Sequence, residues 1–201
     1  MADENFTVFS GVYPPSEDTY LLLDSLEICP DDAFLEVGCG SGLITLNAAK
    51  ITRSVVSVDS SLEAVRNTVE NLKRNGVYDS CHVLESDLLC AISSSHKFSM
   101  IVFNPPYLPA DEEHTDLDHA LIGGDEGTEI TQRFVRQASK HLMKDGLMLV
   151  VVSNLANIDA IRTEMIECGL NIEVASEKSL FFEKIQVLRG ILKDDHKETV
   201  L

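Results

Sequence analysis

Short apolar runs alternate with amphipathic segments along most of this chain. The apolar runs predict β-strands, which we place at 33–38, 54–59, 81–87, 98–104 and 147–153, with two more between 172 and 192. Apolar residues at helical spacing predict helices between them, at 17–28, 43–51, 60–76, 129–146 and 158–169. Because this alternation is typical of βαβ units, we predict an α/β fold with a doubly wound, mainly parallel, seven-stranded sheet.

One edge of the predicted sheet collects the polar residues that end its strands. The carboxyl ends of parallel strands form a common rim, and ligands of doubly wound folds bind there. This rim receives the turn after the first strand, then Asp59, Asp87 and Asn104 after the next three. The longest irregular stretch, 105–128, follows on the same rim. We therefore expect the functional site at this edge of the sheet.

The turn after the first strand reads LEVGCGSG and contains Gly38, Gly40 and Gly42. Glycine lets the backbone turn sharply and approach a ligand closely, while the next helix offers free N–H groups. This favours a nucleotide-like cofactor, although a tight turn with nothing bound is a second interpretation. Asp59 lies about twenty residues further on, where a carboxylate can accept hydrogen bonds from ribose hydroxyls. Capping the following helix is its alternative role.

Two residues distinguish adenosylmethionine from a dinucleotide as the cofactor. A dinucleotide fingerprint has a third glycine or alanine where this chain has Leu43. Glu36, just before the turn, would repel a pyrophosphate but suits the ammonium or sulfonium group of adenosylmethionine. Asp87 is placed to accept a hydrogen bond from an adenine amine, with Leu88 against the ring. We therefore predict S-adenosyl-L-methionine as the cofactor.

The fourth strand ends in Asn104-Pro105-Pro106-Tyr107. Each proline lacks an N–H and holds the residue before it extended, so the Pro105 carbonyl can stay free as an acceptor. The Asn104 side chain adds a carbonyl acceptor and an NH₂ donor. Together these groups can hold a planar amide or amino group, which Tyr107 would cover. The pattern predicts methyl transfer to a nitrogen whose lone pair is delocalised; a proline-rich turn without such a role is the alternative.

The chain is strongly acidic, with 33 Asp and Glu against 16 Lys and Arg and a net charge of −17. Such a surface repels phosphate backbones, and the segment 110–119, ADEEHTDLDH, adds five acids beside the expected substrate mouth. Nucleic acid is therefore disfavoured as a partner, while an amino methyltransferase of adenine or guanine stays open as an alternative. A non-catalytic binding subunit with the same fold is the other alternative.

The remaining features concern location and organisation. Five scattered cysteines without a CxxC pair fit a reducing compartment. The first residues lack a signal-peptide pattern, and no apolar run reaches membrane-spanning length. We expect a cytoplasmic protein, with the nucleus as a second compartment and no membrane partner. We also expect a single domain over 1–201, with 1–15 as an N-terminal extension, and no metal site, because the histidines show no ligand spacing.

Six segments together resemble a known family: VYPPSEDTYLLLDSL, FLEVGCGSG, VVSVDSSLEAV, ESDLL, IVFNPPYLP and IGGDEGTEITQRF. They resemble the class I adenosylmethionine-dependent methyltransferases, and within that group the HemK-like release-factor glutamine methyltransferases in their short archaeal and eukaryotic form. The resemblance implies a Rossmann-like class I methyltransferase fold. It also implies methylation of the glutamine amide in a Gly-Gly-Gln loop of a translation release factor, while some relatives of the short form are credited with protein lysine methylation.

The pattern and the resemblance together assign roles to residues of this chain. The residues expected to bind adenosylmethionine are Thr19, Glu36, Gly38, Gly40, Asp59, Asp87, Leu88 and Asn104. The residues expected to hold the acceptor side chain and to carry catalysis are Asn104, Pro105, Pro106 and Tyr107. The resemblance implies a class I translation release factor as the substrate. It also implies a small zinc-binding activator protein that forms a heterodimer with the chain.

Overall fold

A computed structural model describes residues 5–106 and 127–192. Within them, a seven-stranded sheet has the strand order β3-β2-β1-β4-β5-β7-β6. The strands are β1 (Ala33–Val37), β2 (Ser54–Asp59), β3 (Cys81–Glu85), β4 (Phe98–Phe103), β5 (Leu142–Ser153), β6 (Leu170–Ser179) and β7 (Lys184–Leu192). The helices are α1 (Glu17–Asp24), α2 (Leu43–Ala49), α3 (Leu62–Arg74), α4 (Glu129–Ala138) and α5 (Ile158–Glu167). Tyr107 and the acidic segment 110–119 lie outside the described residues.

Strands β1 to β5 are parallel, and β7 is antiparallel to both β5 and β6. The predicted α/β fold, with its doubly wound and mainly parallel sheet of seven strands, is confirmed. Neighbouring residues of a strand point to opposite faces, so Phe34 packs in one cluster with Leu22 of α1. Leu35 packs in the other cluster with Phe134 of α4. Strands that are apolar on both faces therefore require helices on both sides of the sheet.

The segment between α4 and β5 differs from its prediction. The sequence predicts one helix over 129–146, but α4 ends at Ala138 and β5 begins at Leu142. Leu142 pairs with Phe98 of β4, and the next few residues bulge out of the ladder before pairing resumes. Asp145 in this bulge has a left-handed φ of +60°, which a right-handed helix does not accommodate. The helical prediction is therefore wrong for 142–146, which belong to β5, because pairing with β4 overrides the helical spacing.

The other helices and strands lie where the pattern predicts them, with ends that differ by a few residues. Across 5–106 and 127–192, none of the helices has both the length and the apolar character that crossing a bilayer requires.

Gly42 controls the join between the first turn and α2. It is the N-cap of α2 and has a φ of +84°, a left-handed conformation that glycine adopts without strain. A Cβ built there would lie 2.8 Å from the Oγ1 atom of Thr68 and 2.9 Å from its Cα atom, on the adjacent α3. The close approach of the turn to α3 therefore requires glycine.

We predict that Gly42→Ala lowers the free energy of unfolding by about 2–4 kcal/mol, as the sum of left-handed strain and overpacking. Gly76→Ala is the matched control, because Gly76 also has a positive φ, +69°, yet its built Cβ meets no described atom within 4 Å. The control should lose only about 1–2 kcal/mol. Urea titration measures both variants, and equal losses would contradict the packing explanation.

Candidate active site

A cavity of about 430 Å³ opens at the carboxyl ends of β1, β2 and β4, within the range of about 300–1,000 Å³ for small-molecule sites. Its walls come from the segment before α1, the residues after β2 and β3, and the start of α4. The structure brings together all the predicted cofactor-binding residues in its lining: Thr19, Glu36, Gly38, Gly40, Asp59, Asp87, Leu88 and Asn104. Pro105 and Pro106 line it too, while Tyr107 lies outside the described residues.

The glycine turn is the floor of the cavity. Gly38 and Gly40 have left-handed φ angles of +69° and +53°, and a Cβ on Gly38 would lie 3.0 Å from the Phe103 ring. The Gly38 N–H donates to the Val58 carbonyl at 2.8 Å, and the Gly40 N–H donates to Asp59 Oδ2 at 2.9 Å. These bonds tie the turn to the end of β2, so its backbone has a defined position beside the cavity.

Asp59 supports this turn rather than capping the next helix. Besides the bond from Gly40, its Oδ1 atom accepts from the Ser61 N–H at 2.8 Å. The N-cap of α3 is Ser61, whose hydroxyl accepts from the Ala64 N–H at 3.4 Å. The alternative role of Asp59 as the helix cap is therefore wrong. Burial raises the pKa of Asp59, and the backbone N–H donors oppose that shift.

The Glu36 carboxyl lines the cavity but is only 4% exposed. The Thr45 hydroxyl donates to its Oε2 atom. Burial raises the pKa of Glu36 to about 8, and hydrogen bonds from Thr45 only partly offset this effect. At neutral pH the carboxyl of the protein alone is therefore mostly protonated, so burial suppresses the charge that the sequence suggests. A cation placed beside it would favour the ionised form again.

Asp87 has an ion-pair partner that the helical pattern of α4 does not reveal. Its Oδ2 atom accepts from Arg133 Nη2 at 2.6 Å, and both side chains are about half exposed. An ion pair this exposed contributes about 0–1 kcal/mol, so a ligand amine can compete for the carboxylate. Leu88 beside it is buried and has a left-handed φ of +49°. Arg133 also lines the cavity. The sequence does not indicate this ion pair, because Arg133 and Asp87 are far apart along the chain.

Asn104 follows β4 directly and lines the cavity together with Pro105. Its Oδ1 atom is buried and has no hydrogen-bond partner among the described residues. Leaving a buried acceptor unpaired costs roughly 1–3 kcal/mol, so the fold alone gives no reason for this arrangement. It supplies an acceptor that an N–H group of a ligand can satisfy.

The segment before α1 and the first turn of α1 form a wall whose residues, except Thr19, the sequence analysis did not assign. Tyr13 and Asp18 line the cavity, and the Tyr13 hydroxyl donates to Asp18 Oδ2 at 3.2 Å. Burial and the nearby Asp18 raise the pKa of Tyr13 to about 12. Thr19 is buried, and its Oγ1 atom accepts from the Ser16 N–H at 3.3 Å in the first turn of α1. The segment VYPPSEDTYLLLDSL, one of those that carry the family resemblance, contains all of these residues.

The groups around the cavity fit adenosylmethionine in their chemistry. Carboxyl groups at three strand ends, Glu36, Asp59 and Asp87, can meet a cation, ribose hydroxyls and an amine. A pyrophosphate would meet the same carboxyl groups and be repelled. Within the described part of the chain, no group of His, Cys, Asp and Glu side chains is arranged to hold a metal ion.

Comparison with known proteins identifies the family. The family model described as "Methyltransferase small domain" matches residues 6–181. A Methanocaldococcus jannaschii protein, named as a candidate protein N5-glutamine methyltransferase, is 35% identical over 183 residues, or 89% of this chain and 91% of that protein. The human Methyltransferase HEMK2 is 30% identical over 212 residues, or 94% of this chain and 98% of that protein.

Among solved structures, the E. cuniculi Mtq2–Trm112 complex is described as responsible for methylation of the eRF1 translation termination factor. Its similar chain has a TM-score of 0.68 and 24% identity, and the match covers 91% of this chain and 99% of that one. The fold is that of a Rossmann-like class I methyltransferase, as the sequence predicts. The chain belongs to the methyltransferase small domain family, and its HemK-like relatives confirm the resemblance stated above. It is therefore a methyltransferase.

We predict that Glu36 makes the protein less stable as the pH rises. Its pKa in the folded protein, about 8, lies above the ordinary value of 4.5. Between these values the folded protein keeps a proton that the unfolded chain releases, so the free energy of unfolding falls with rising pH. This contribution is fully present below the ordinary value and is lost as the pH rises through the folded one.

Glu36→Gln should remove this part of the pH dependence, which amounts to at most ~1.4 kcal/mol per pH unit. Urea unfolding at several pH values between about 5 and 8 measures it. Glu63→Gln, on the exposed face of α3, is the control and should keep the wild-type slope. Parallel pH curves for wild type and Glu36→Gln would show that burial does not raise this pKa.

Proposed function

We propose that this chain is an S-adenosylmethionine-dependent N-methyltransferase that acts on the glutamine side-chain amide of the Gly-Gly-Gln loop in a class I translation release factor. The observation that carries the proposal is the buried, unpartnered Oδ1 atom of Asn104, beside the glycine turn in the cavity. The names of the relatives support glutamine as the acceptor, because one of them is named for N5-glutamine methylation.

In this proposal Asp59 binds the ribose hydroxyls of the cofactor, and the backbone of Gly38 and Gly40 lies against the cofactor. Asp87 and Leu88 bind its adenine. Thr19 and Glu36 take its methionine part, where a positive group beside Glu36 lowers the pKa of that carboxyl and favours its charged form. When bound, adenosylmethionine supplies an activated methyl group. Two solved structures with a similar fold are complexes with adenosylmethionine or adenosylhomocysteine, which supports this cofactor.

The Asn-Pro-Pro segment holds the acceptor amide. Asn104 Oδ1 accepts one of its two N–H bonds and the Pro105 carbonyl accepts the other, while Asn104 Nδ2 donates to the amide oxygen. An amide nitrogen is a poor nucleophile because its lone pair is delocalised. Two acceptors favour the tetrahedral geometry that the nitrogen needs in the transition state, and correct alignment can contribute up to ~7–11 kcal/mol. The new bond from nitrogen to the methyl carbon would replace the bond from that carbon to the cofactor's sulfur; the nitrogen then becomes acidic and gives up one proton to water, so no strong base is required.

The acceptor protein and the partner complete the proposal. A net charge of −17 disfavours nucleic acid and favours a protein with a neutral or basic surface. We further propose a heterodimer with a small zinc-binding activator, supported by the similarity of this chain to a chain of the Mtq2–Trm112 complex. We expect the enzyme to be a single domain. We expect it to act in the cytoplasm, where translation termination takes place, with the nucleus as a second compartment.

An assay with isotopically labelled adenosylmethionine tests this function. It compares intact release factor, a variant with the loop glutamine replaced, histone and nucleic acid, each with and without the candidate activator. Label on the intact release factor and none on its glutamine variant is the expected result. Label on histone or nucleic acid alone would replace the proposed acceptor with lysine or a nucleobase. Bound cofactor without any transfer would make the chain a binding subunit.

We predict that Asn104→Ala lowers kcat by at least about a hundredfold, as expected when a preorganised hydrogen-bonding group is lost from the transition state. The dissociation constant for adenosylmethionine should change by less than about tenfold, because at most one hydrogen bond to the cofactor is lost. Single-turnover methylation and calorimetry measure the two quantities.

Asn75→Ala is the matched control. The Asn75 side chain donates hydrogen bonds to the Asn5 and Asn71 carbonyls at the end of α3 and does not line the cavity. This variant should leave kcat unchanged. Near-wild-type turnover by Asn104→Ala would exclude the proposed hold on the amide.

A further inference from the structure

The hairpin between β6 and β7 ends in two exposed aromatic residues. Phe181 is 91% exposed and Phe182 is 86% exposed, and their rings pack edge to face with centroids 4.5 Å apart. The Leu180 N–H donates to the Glu183 carbonyl at 2.7 Å, so the two phenylalanines are the central residues of a two-residue loop. We call them the Phe181–Phe182 tip.

Folding gives no reason for phenylalanine at these positions. Two-residue hairpin loops favour Asn, Asp and Gly, which suit the turn geometry. The side chains of the tip contact each other but bury little surface against the rest of the described chain. Exposing two large apolar rings also lowers solubility. Clustered aromatic residues on a surface are typical of a site that binds another protein.

The tip lies at the same end of the sheet as the cavity. Strand β7 is antiparallel to β5 and pairs Ile185 with Ser153, the last residue of β5. The hairpin loop therefore lies at the carboxyl end of β5. Strand β5 pairs with β4, and Asn104 comes directly after β4. The Glu183 carboxylate is near enough to Tyr13, in the cavity wall, to contribute to its raised pKa. The tip and the cavity therefore lie on the same rim of the sheet, where a protein that presents a side chain to the cavity would also meet the tip.

Charged residues border the tip. Lys178 pairs with Glu17 at the start of α1, and Lys184 pairs with Glu177 across the hairpin at 2.8 Å. The Oε1 atom of Glu183, within the same loop, is shielded from water and has no hydrogen-bond partner among the described residues. An apolar centre with a polar rim is the usual composition of a protein interface, and the spare carboxylate oxygen favours a partner that brings an N–H or ammonium group.

We propose that the Phe181–Phe182 tip is a docking surface for the body of the acceptor protein, which presents an apolar depression bordered by a basic or N–H donor group. This inference rests on the proposed function, since it names where that acceptor binds outside its methylated loop. The cavity recognises the side-chain amide, whereas the tip recognises the protein that carries it. Docking at the tip raises the local concentration of the loop at the cavity.

The test compares wild type with the double variant Phe181→Ser, Phe182→Ser. Ile166→Ser is the control, because Ile166 is also an exposed apolar residue, 60% exposed, but lies near the end of α5, whose chain enters β6 at the opposite end of the sheet. Each protein is assayed with intact release factor and with a short peptide of its Gly-Gly-Gln loop, in the presence of the activator. Equilibrium binding of unlabelled release factor is measured separately.

For the double variant, we expect KM and Kd for the intact release factor to rise at least about tenfold, or ~1.4 kcal/mol. Its kcat, its peptide methylation and its affinity for adenosylmethionine should stay within about twofold of wild type, as should every quantity for Ile166→Ser. An unchanged Kd for the intact protein would overturn the docking surface. An equal loss of methylation with the peptide would overturn it as well. So would a wild-type protein that is a dimer while the double variant is a monomer. If wild type binds release factor but transfers no methyl group, the proposed function fails while the Kd comparison still decides the role of the tip.

Discussion

The hydrogen bond from the Gly40 N–H to the Asp59 carboxylate holds the first turn against the end of β2. The turn can donate this hydrogen bond only because its glycines adopt left-handed conformations. Gly42 continues the same constraint, since it lets the start of α2 approach Thr68 on α3 more closely than any side chain would permit. The floor of the cavity and the position of Asp59 beside it depend on this tight join between two βα units.

The cavity contains a deeply buried carboxyl group and a buried amide oxygen without a partner among the described residues. Glu36 is buried so deeply that its pKa rises to about 8, and Asn104 Oδ1 has no partner among the described residues. Both are costs to stability that the two apolar clusters on either side of the sheet offset. A ligand with a positive group and an N–H donor would satisfy both, so the same features that weaken the protein alone would strengthen its binding.

The antiparallel strand β7 gives the sheet a second feature at the same rim. A parallel seventh strand would begin at the far end of the sheet, whereas β7 begins beside the last residue of β5. The hairpin that precedes it therefore lies at the same end of the sheet as the cavity. Chemistry at Asn104 and recognition at Phe181 and Phe182 can thus be separated, since the two surfaces lie at one end of the sheet but do not share a side chain.

Local patterns in the sequence determined the order of strands and helices, the glycine turn and the stiff segment after β4, because apolar periodicity, left-handed glycine and proline act over a few residues. Only the tertiary structure decided that 142–146 enters β5, that Arg133 pairs with Asp87, and that burial raises the pKa of Glu36 to about 8. These outcomes depend on strand pairing, on contacts between distant residues and on burial. No local pattern contains them, because the neighbours that create each environment are assembled only when the sheet forms.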